Sequence, residues 1–296
     1  MGRVTGTDSR AFSFYMVKVN LLFEPSGSGE SAGKNYIYVM DYEISMKDLD
    51  ISNYLEINGV YVHNNIIDSS FNLPIFRYIA YEHLLSLINQ GKLYVSNRSN
   101  FTDLSERSQM INMKYELPLI VHSRSKKKNE ENVKLAEAKR KAAYNVCASC
   151  WTKDCHTYGD ESFLMWKCYG GSKVFCRIET TIGKLINSLS IADSYNVILT
   201  EMNYVDYKQK KYMGNINHYL FDKPIAYTGE QEIRLYVLTR KTHVLLDINP
   251  FSLIEGILIT PFIGRNLSKI LIDHIRNMHP NWNVKIEQSS IIEKYN

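Results

Sequence analysis

The chain has 296 residues, of which 45% are hydrophobic and 22% are charged, with a formal net charge of +4. This composition excludes a disordered chain, and the net charge is compatible with a nucleic-acid partner without implying one. The N-terminus has no apolar signal segment, no apolar run reaches the roughly 20 residues of a membrane span, and the cysteines are odd in number. We therefore expect a soluble, reduced, cytoplasmic protein with no membrane partner.

Residues 1–72 are predicted to form a β-rich N-terminal extension. Segments 12–23 and 35–45 are rich in β-branched and aromatic residues, and turn-forming residues separate them. This pattern predicts a hairpin with a long loop. The pair Asn58-Gly59 is a second hairpin signal.

A strand, a helix and a second strand are predicted after Pro74. Tyr81, Leu84 and Ile88 would share one helical face, and Gly91 is well placed to end that helix. The pattern is typical of a locally determined strand–helix–strand unit.

The remaining segments alternate unevenly between helix and strand. Residues 123–144 are highly charged and predict a solvated helix with a basic surface. Residues 145–151 predict a buried strand, and strands outnumber helices beyond it. Because the two are not regularly interleaved, an α+β fold is favoured over a doubly wound sheet.

A group of cysteines raises the question of a metal site. Cys147, Cys150, Cys155 and His156 are close in sequence, and the first two have zinc-ligand spacing. They fall in a predicted strand, where positions 147 and 150 point to opposite faces and no glycine or proline provides a turn. We expect buried thiols and no metal.

Two carboxylates, Glu230 and Glu232, precede a strand-like segment, and Arg234 follows at the same spacing. If the strand began at Glu230, both carboxylates would share one face, which is unfavourable unless a cation or ligand lies opposite. One interpretation is a solvated strand edge that blocks unwanted pairing. The other is a catalytic pair.

Arg77 and three aromatic residues have simple structural explanations as well as functional ones. An arginine inside an apolar strand needs an anionic partner, either a carboxylate of this chain or a phosphate. Trp151 ends a predicted strand, and Trp166 and Tyr169 would share a face of the next helix. Taken alone, these aromatic residues indicate core packing.

Several sequence blocks resemble a bacterial family of unknown function over about residues 73–291. They are "FRYIAYEHLLSLINQGKLYVSN", "ESFLMWKCY", "GEQEIRLYV" and "LIEGILITPF", in this order. The chain departs from the family at "NFTDLSER", where an N-D-P-x-E pattern is expected, so no role passes to Asp103 or Glu106. That family in turn resembles ADP-ribosyltransferases, through the arginine on the first strand, the helix ending in G-x-L and the late E-x-E block.

The resemblance implies a fold and a site. It implies split mixed β-sheets with a cleft for residues 73–296 and NAD as a substrate. Cleavage of the nicotinamide–ribose bond passes through an oxocarbenium-like centre, which Glu232 would stabilise, and Glu230 would orient or deprotonate the nucleophile. The NAD-binding residues implied are Arg77, Tyr81, Ser149, Trp151, Trp166 and Tyr169.

We therefore expect an NAD-dependent mono-ADP-ribosyltransferase that modifies a macromolecule, either nucleic acid or protein. Bacterial relatives of this kind suggest a toxin or anti-phage effector, with an antitoxin protein as a further partner. Two alternatives stay open: a non-catalytic nucleotide- or nucleic-acid-binding module on the same fold, and an NAD glycohydrolase. The acceptor is then protein, RNA, DNA or water.

Overall fold

The structure is a computed structural model of the chain. The residues it describes are 42–69, 71–101, 125–153, 161–170, 174–206 and 216–291. The hairpin predicted from segments 12–23 and 35–45 lies outside this range except for residues 42–45, which are not in a strand.

The secondary structure is mixed. In chain order the strands are β1 (Tyr54–Ile57), β2 (Val60–His63), β3 (Pro74–Ala80), β4 (Lys92–Asn97), β5 (Cys147–Thr152), β6 (Phe175–Thr181), β7 (Leu189–Ser190), β8 (Val197–Glu201), β9 (Asn203–Val205), β10 (Asp222–Pro224), β11 (Glu232–Val237), β12 (His243–Ile248), β13 (Gly256–Ile259) and β14 (Lys285–Gln288). The helices are α1 (Asn64–Ser69), α2 (Tyr81–Gln90), α3 (Lys126–Tyr144), α4 (Phe163–Gly170), α5 (Ile182–Ser188), α6 (Ile216–Phe221), α7 (Pro250–Leu253) and α8 (Arg265–Met278). Short 3-10 turns cover Met46–Asp48, Ile51–Asn53, Arg98–Asn100 and Ile225–Glu230.

One mixed sheet organises the molecule. Its strands run in the order β1-β2-β8-β11-β5-β3-β6-β13-β14, with parallel pairing at β2–β8 and β13–β14 and antiparallel pairing elsewhere. The short strands β9 and β10 form a separate parallel pair. The predicted α+β fold is confirmed.

Strands β1 and β2, which belong to the predicted N-terminal extension, join this sheet through β8. The hairpin at Asn58-Gly59 is confirmed, since both residues have positive φ and the turn joins β1 to β2. The division at residue 72 stays a prediction.

The sheet splits at β5. One edge of β5 pairs with β11 along its full length. The other edge pairs with β4 at Cys147 and Ala148, and with β3 only at Thr152. Among the described strands none pairs with the stretch in between, so β3 and β4 separate there and begin two arms of the sheet, as expected for split sheets.

The strand–helix–strand unit after Pro74 is confirmed as β3, α2 and β4. Gly91 ends α2 in the left-handed region at φ 60°, and its N–H donates to the carbonyl of Leu87 at 3.0 Å. Glycine adopts this conformation without the penalty that other residues meet. Both the sequence signal and the hydrogen bond that ends the helix involve residues close together in the chain.

Strand β11 is buried along its whole length. Ile233, Leu235 and Val237 enter the main hydrophobic core, whereas Tyr236 packs in a second core on the other side of the sheet. Strand alternation therefore places Glu232, Arg234 and Tyr236 on one face. None of the helices in the described ranges is long and apolar enough to cross a lipid bilayer.

Candidate active site

The two carboxylates are not neighbours on one strand face. Glu230 ends the 3-10 turn, Gln231 is left-handed at φ 43° and ψ 50°, and β11 begins at Glu232. A non-glycine residue in this region is uncommon. The condition of a strand that begins at Glu230 is therefore not met, because the left-handed Gln231 interrupts the extended backbone between the two glutamates.

A buried ionic cluster surrounds the start of β11 and consists of Lys223, Glu230, Glu232 and Arg234. The Lys223 ammonium lies 2.6 Å from Glu230 Oε2 and 3.3 Å from Glu232 Oε2. Arg234 donates to Glu232 Oε2 through both its Nη2, at 2.6 Å, and its Nε, at 3.1 Å. The three contacts to Glu232 all reach its Oε2, and no described residue donates to its Oε1.

Burial makes this cluster energetically demanding. Only 3% of the Glu232 side chain, 4% of the Lys223 side chain and 1% of the Arg234 side chain are exposed. Buried charges are tolerated when they are paired, because pairing offsets their desolvation. The two cations therefore make the burial of Glu232 tolerable.

The electrostatics of the cluster differ between its members. Burial and then Glu232 raise the pKa of Glu230, while Lys223 opposes the shift. Burial lowers the pKa of Lys223, but Glu232 and Glu230 outweigh it and the net shift is upward. A carboxylate with a raised pKa is a better proton acceptor near neutral pH, which fits Glu230.

A small pocket opens beside the Glu232 carboxylate. The cavity holds about 20 Å³, which is room for about one water molecule. Tyr169, at its rim, is 36% exposed and stacks on Tyr78 with ring centres 6.0 Å apart. The lining residues are Phe76, Tyr78, Cys150, Trp151, Thr152, Met165, Tyr169 and Glu232.

The register of the sheet brings three of the lining residues side by side on neighbouring strands. Phe76 faces Thr152, which in turn faces Glu232. The Thr152 hydroxyl donates to the carbonyl of Glu230 at 2.6 Å, and the N–H of Glu232 donates to the Tyr204 hydroxyl at 2.8 Å. These bonds hold both glutamate backbones in place.

Arg77 spans the split in the sheet. It follows Phe76 directly, so strand alternation points it to the face opposite Glu232. Its guanidinium lies 5.7 Å from the centre of the Trp151 ring and donates to the carbonyl of Tyr94 on β4 at 3.0 Å. None of the described carboxylates pairs with it, and burial lowers the pKa of Arg77 to about 10.

Two buried polar atoms accompany Arg77. Within the described ranges, Ser149 Oγ and Trp151 Nε1 have no hydrogen-bond partner, although each residue is only 1% exposed. They lie two residues apart on β5, beside the edge of β5 that no described strand pairs with. Strand alternation places them on the same face of the sheet as Arg77 of β3. Most buried polar groups in proteins are hydrogen-bonded, so these two atoms are exceptions to the usual pattern.

The other predicted site residues lie behind or away from the pocket. Trp166 is fully buried, donates to Glu161 Oε2 at 3.0 Å and packs edge-on against Tyr78. It supports the pocket wall from behind. Tyr81 belongs to the main core, and its hydroxyl donates to the carbonyl of Leu271 at 3.0 Å. The structure does not bring Tyr81 to the pocket.

The structure thus divides the predicted site residues into two groups. Glu232, Trp151 and Tyr169 line the pocket. Glu230 does not line it, but it pairs with Lys223, which also contacts Glu232. Arg77 and Ser149 lie on the other face at the split, and Trp151 connects the two groups.

Some residues of the site escaped sequence analysis. Phe76 and Tyr78 flank Arg77, and strand alternation alone would have identified them as one face. Lys223 and Tyr204 carry no local signal, because they lie on strands of only three residues whose pairing is long-range.

No group of three or more metal-ligating side chains occurs within the described ranges. Cys147 is buried and Cys150 partly buried, while Cys155 and His156 lie outside the described residues. The expectation of buried thiols holds for Cys147.

Comparison with known proteins returned solved structures only. The chain is similar to DarT of Thermus sp. 2.9 in complex with NAD+, at 10% identity and a TM-score of 0.34, covering 75% of this chain and 98% of that one. The same enzyme in complex with ADP-ribosylated single-stranded DNA gives 10% identity and a TM-score of 0.34, covering 74% and 95%. No family model and no curated protein matches. Likenesses at this level support neither an activity nor a substrate for this chain.

Proposed function

We propose that this chain is an NAD-dependent mono-ADP-ribosyltransferase that modifies a macromolecule, nucleic acid or protein. The observation that carries the proposal is the placement of Glu232. Its carboxylate is buried at the start of β11, two cations hold Oε2, and Oε1 receives no hydrogen bond from any described residue. It borders a pocket lined by aromatic rings, which suits a carboxylate that meets positive charge.

The residues around the split fit the groups that NAD carries. Ser149 Oγ and Trp151 Nε1 are buried donors that no group in the described part of the chain satisfies. Arg77 has a guanidinium without a carboxylate partner among the described residues, and such a group suits a phosphate or ribose oxygen. When bound, NAD supplies an ADP-ribosyl group by loss of nicotinamide through an oxocarbenium-like centre.

The residues in the pocket and in the ionic cluster beside it then each have a definable task. Glu232 stabilises positive charge in a site from which water is largely excluded, where such an interaction is strongest. Arg234 holds the carboxylate by its Oε2, so Oε1 keeps a fixed direction. Glu230 takes a proton from the acceptor, which its raised pKa favours. Tyr169 and Trp151 offer flat walls for a ring.

The proposal names only the class of the acceptor, which is nucleic acid or protein. The first turn of α3 exposes Lys126, Lys127 and Lys128, which favours a polyanion. If nucleic acid is the acceptor, replacing all three by glutamine should weaken binding to single-stranded oligonucleotides and flatten its salt dependence. Unchanged affinity and salt slope would mean that this turn is only a solvated surface.

A toxin or anti-phage role, with an antitoxin partner, is proposed from the sequence resemblance alone.

The experiment is incubation of the protein with adenylate-labelled NAD and a bacterial lysate, followed by protease or nuclease digestion. Label released by only one of the two digestions identifies the acceptor class. Nicotinamide release without macromolecular label would indicate the glycohydrolase alternative. NAD binding without release would indicate a non-catalytic module, and neither binding nor release would refute the proposal. Glu232→Gln is the matched control for background labelling.

A further inference from the structure

Lys223 holds an unusual position for a lysine. It lies on β10, opposite Tyr204 in the parallel β9–β10 pair, and its residue is only 4% exposed. Its ammonium also lies 4.7 Å from the centre of the Tyr227 ring. Lysine is almost never fully buried unless it is paired, and here one ammonium is shared by the two glutamates.

The two glutamates depend on Lys223 unequally. Glu232 also accepts two hydrogen bonds from Arg234. For Glu230, the described residues offer one ion pair, the 2.6 Å contact with Lys223. Loss of Lys223 would therefore leave Glu232 paired with Arg234, whereas Glu230 would have no ion pair among the described residues and would lie beside another carboxylate.

We propose that Lys223 is a positioning residue that keeps Glu230 ionised and beside Glu232, so that one carboxylate serves the acceptor while the other serves the ribose. The inference rests on the proposed function and deepens it. In this proposal Lys223, on β10, links the two carboxylates without itself contacting the substrate.

The surroundings of Glu230 determine the direction of the effect. Like charge and burial favour its protonated form, whereas a nearby cation favours its charged form. Removal of Lys223 therefore moves the titration of Glu230 to higher pH. The titratable and charged groups facing Glu230 from the packed elements are Glu232, Arg234, Lys223, Tyr169 and Tyr204.

The direct test is a carboxyl-carbon NMR titration of glutamate-labelled protein, with Glu230 identified by the signal missing in Glu230→Gln. In Lys223→Met and Lys223→Gln the midpoint of Glu230 should rise by about one pH unit or more. Lys223→Arg should keep the midpoint near the wild-type value. Lys184→Met is the matched control, because it removes an exposed lysine paired with Glu255 at 2.6 Å, and it should leave the midpoint unchanged.

Activity gives the second readout. In Lys223→Met and Lys223→Gln, the neutral variants, the acidic limb of the pH profile for transfer to lysate acceptors should move to higher pH together with the midpoint of Glu230. Nicotinamide release in water should change less.

An unchanged midpoint of Glu230 in both neutral variants would overturn the proposal. Equal loss of transfer and of nicotinamide release without a pH shift would also overturn it. If both neutral variants fail to fold by thermal melting while Lys223→Arg folds, Lys223 is a structural residue and the proposal also fails. A wild-type protein that releases no nicotinamide would refute the proposed function, whereas the titration still tests the pairing.

Discussion

The two ends of the polar face of β11 bury charge in different ways. At the far end, the Tyr236 hydroxyl donates to the carbonyl of Leu220 at 2.6 Å. Arg98 lies 5.8 Å from the centre of the Tyr236 ring and donates to the carbonyls of Ala143 and Tyr219 at 2.9 and 3.2 Å. At the near end, Glu232 is surrounded by full charges instead.

Under the proposed function, the Tyr236 end of β11 is structural and the Glu232 end carries the chemistry. Arg98 meets carbonyls near the ends of α3 and α6, where helix dipoles favour a cation, and the group is enclosed by the second core. The Glu232 end uses two carboxylates and two cations, which are costly to bury, and Glu232 also lines a pocket. Glu232 pairs with two cations, Lys223 and Arg234, and the proposed function gives this pairing a role.

The largest expected effect is at Glu232. Glu232→Gln keeps size and hydrogen bonding but loses the charge, so nicotinamide release should fall roughly 100- to 1,000-fold. A chromatographic assay of nicotinamide measures the loss, and a thermal melt shows whether the variant is folded. Wild-type turnover in a folded variant would mean that both ends of β11 are structural.

Arg98→Met should give the opposite result. It removes charged hydrogen bonds to two buried carbonyls, so the free energy of unfolding should fall by about 3 kcal/mol. Urea denaturation measures this change. Turnover per folded molecule should stay at the wild-type level at 25 °C. A folded variant that loses turnover would show that the far end also contributes to activity.

Glu230→Gln sharpens the comparison within the near end. Loss of a proton acceptor should lower transfer to the acceptor about 100-fold. Release of nicotinamide in water should fall less, because Glu232 keeps its bonds to Arg234. The two rates are measured with and without lysate acceptor at pH 7. Equal losses would assign both glutamates to one role.

Tyr236→Phe should have the smallest effect. It removes one hydrogen bond and leaves the carbonyl of Leu220 without that donor, at a cost of about 1 kcal/mol in the free energy of unfolding. Nicotinamide release should be unchanged. A variant with wild-type stability would show that the Tyr236 hydroxyl adds nothing to the second core.

Sequence patterns predicted the elements whose signals are local. The unit from Pro74 to Asn97 followed from helical periodicity and from Gly91, and the hairpin at Asn58 followed from its turn residues. The α+β class followed from the uneven order of strands and helices. Glu230, Glu232 and Arg77 stood out because charges in strand-like segments demand partners.

The partners themselves were decided by tertiary structure. The left-handed Gln231, which separates the two glutamates, has no signature in residue type. Lys223 reaches both carboxylates only because β10 pairs with β9, and residues that contact each other across long loops leave no periodic trace in the chain. The sequence by itself determined local structure and the need for compensating charge. Long-range strand pairing decided that Lys223 joins Arg234 in supplying the charge for Glu232.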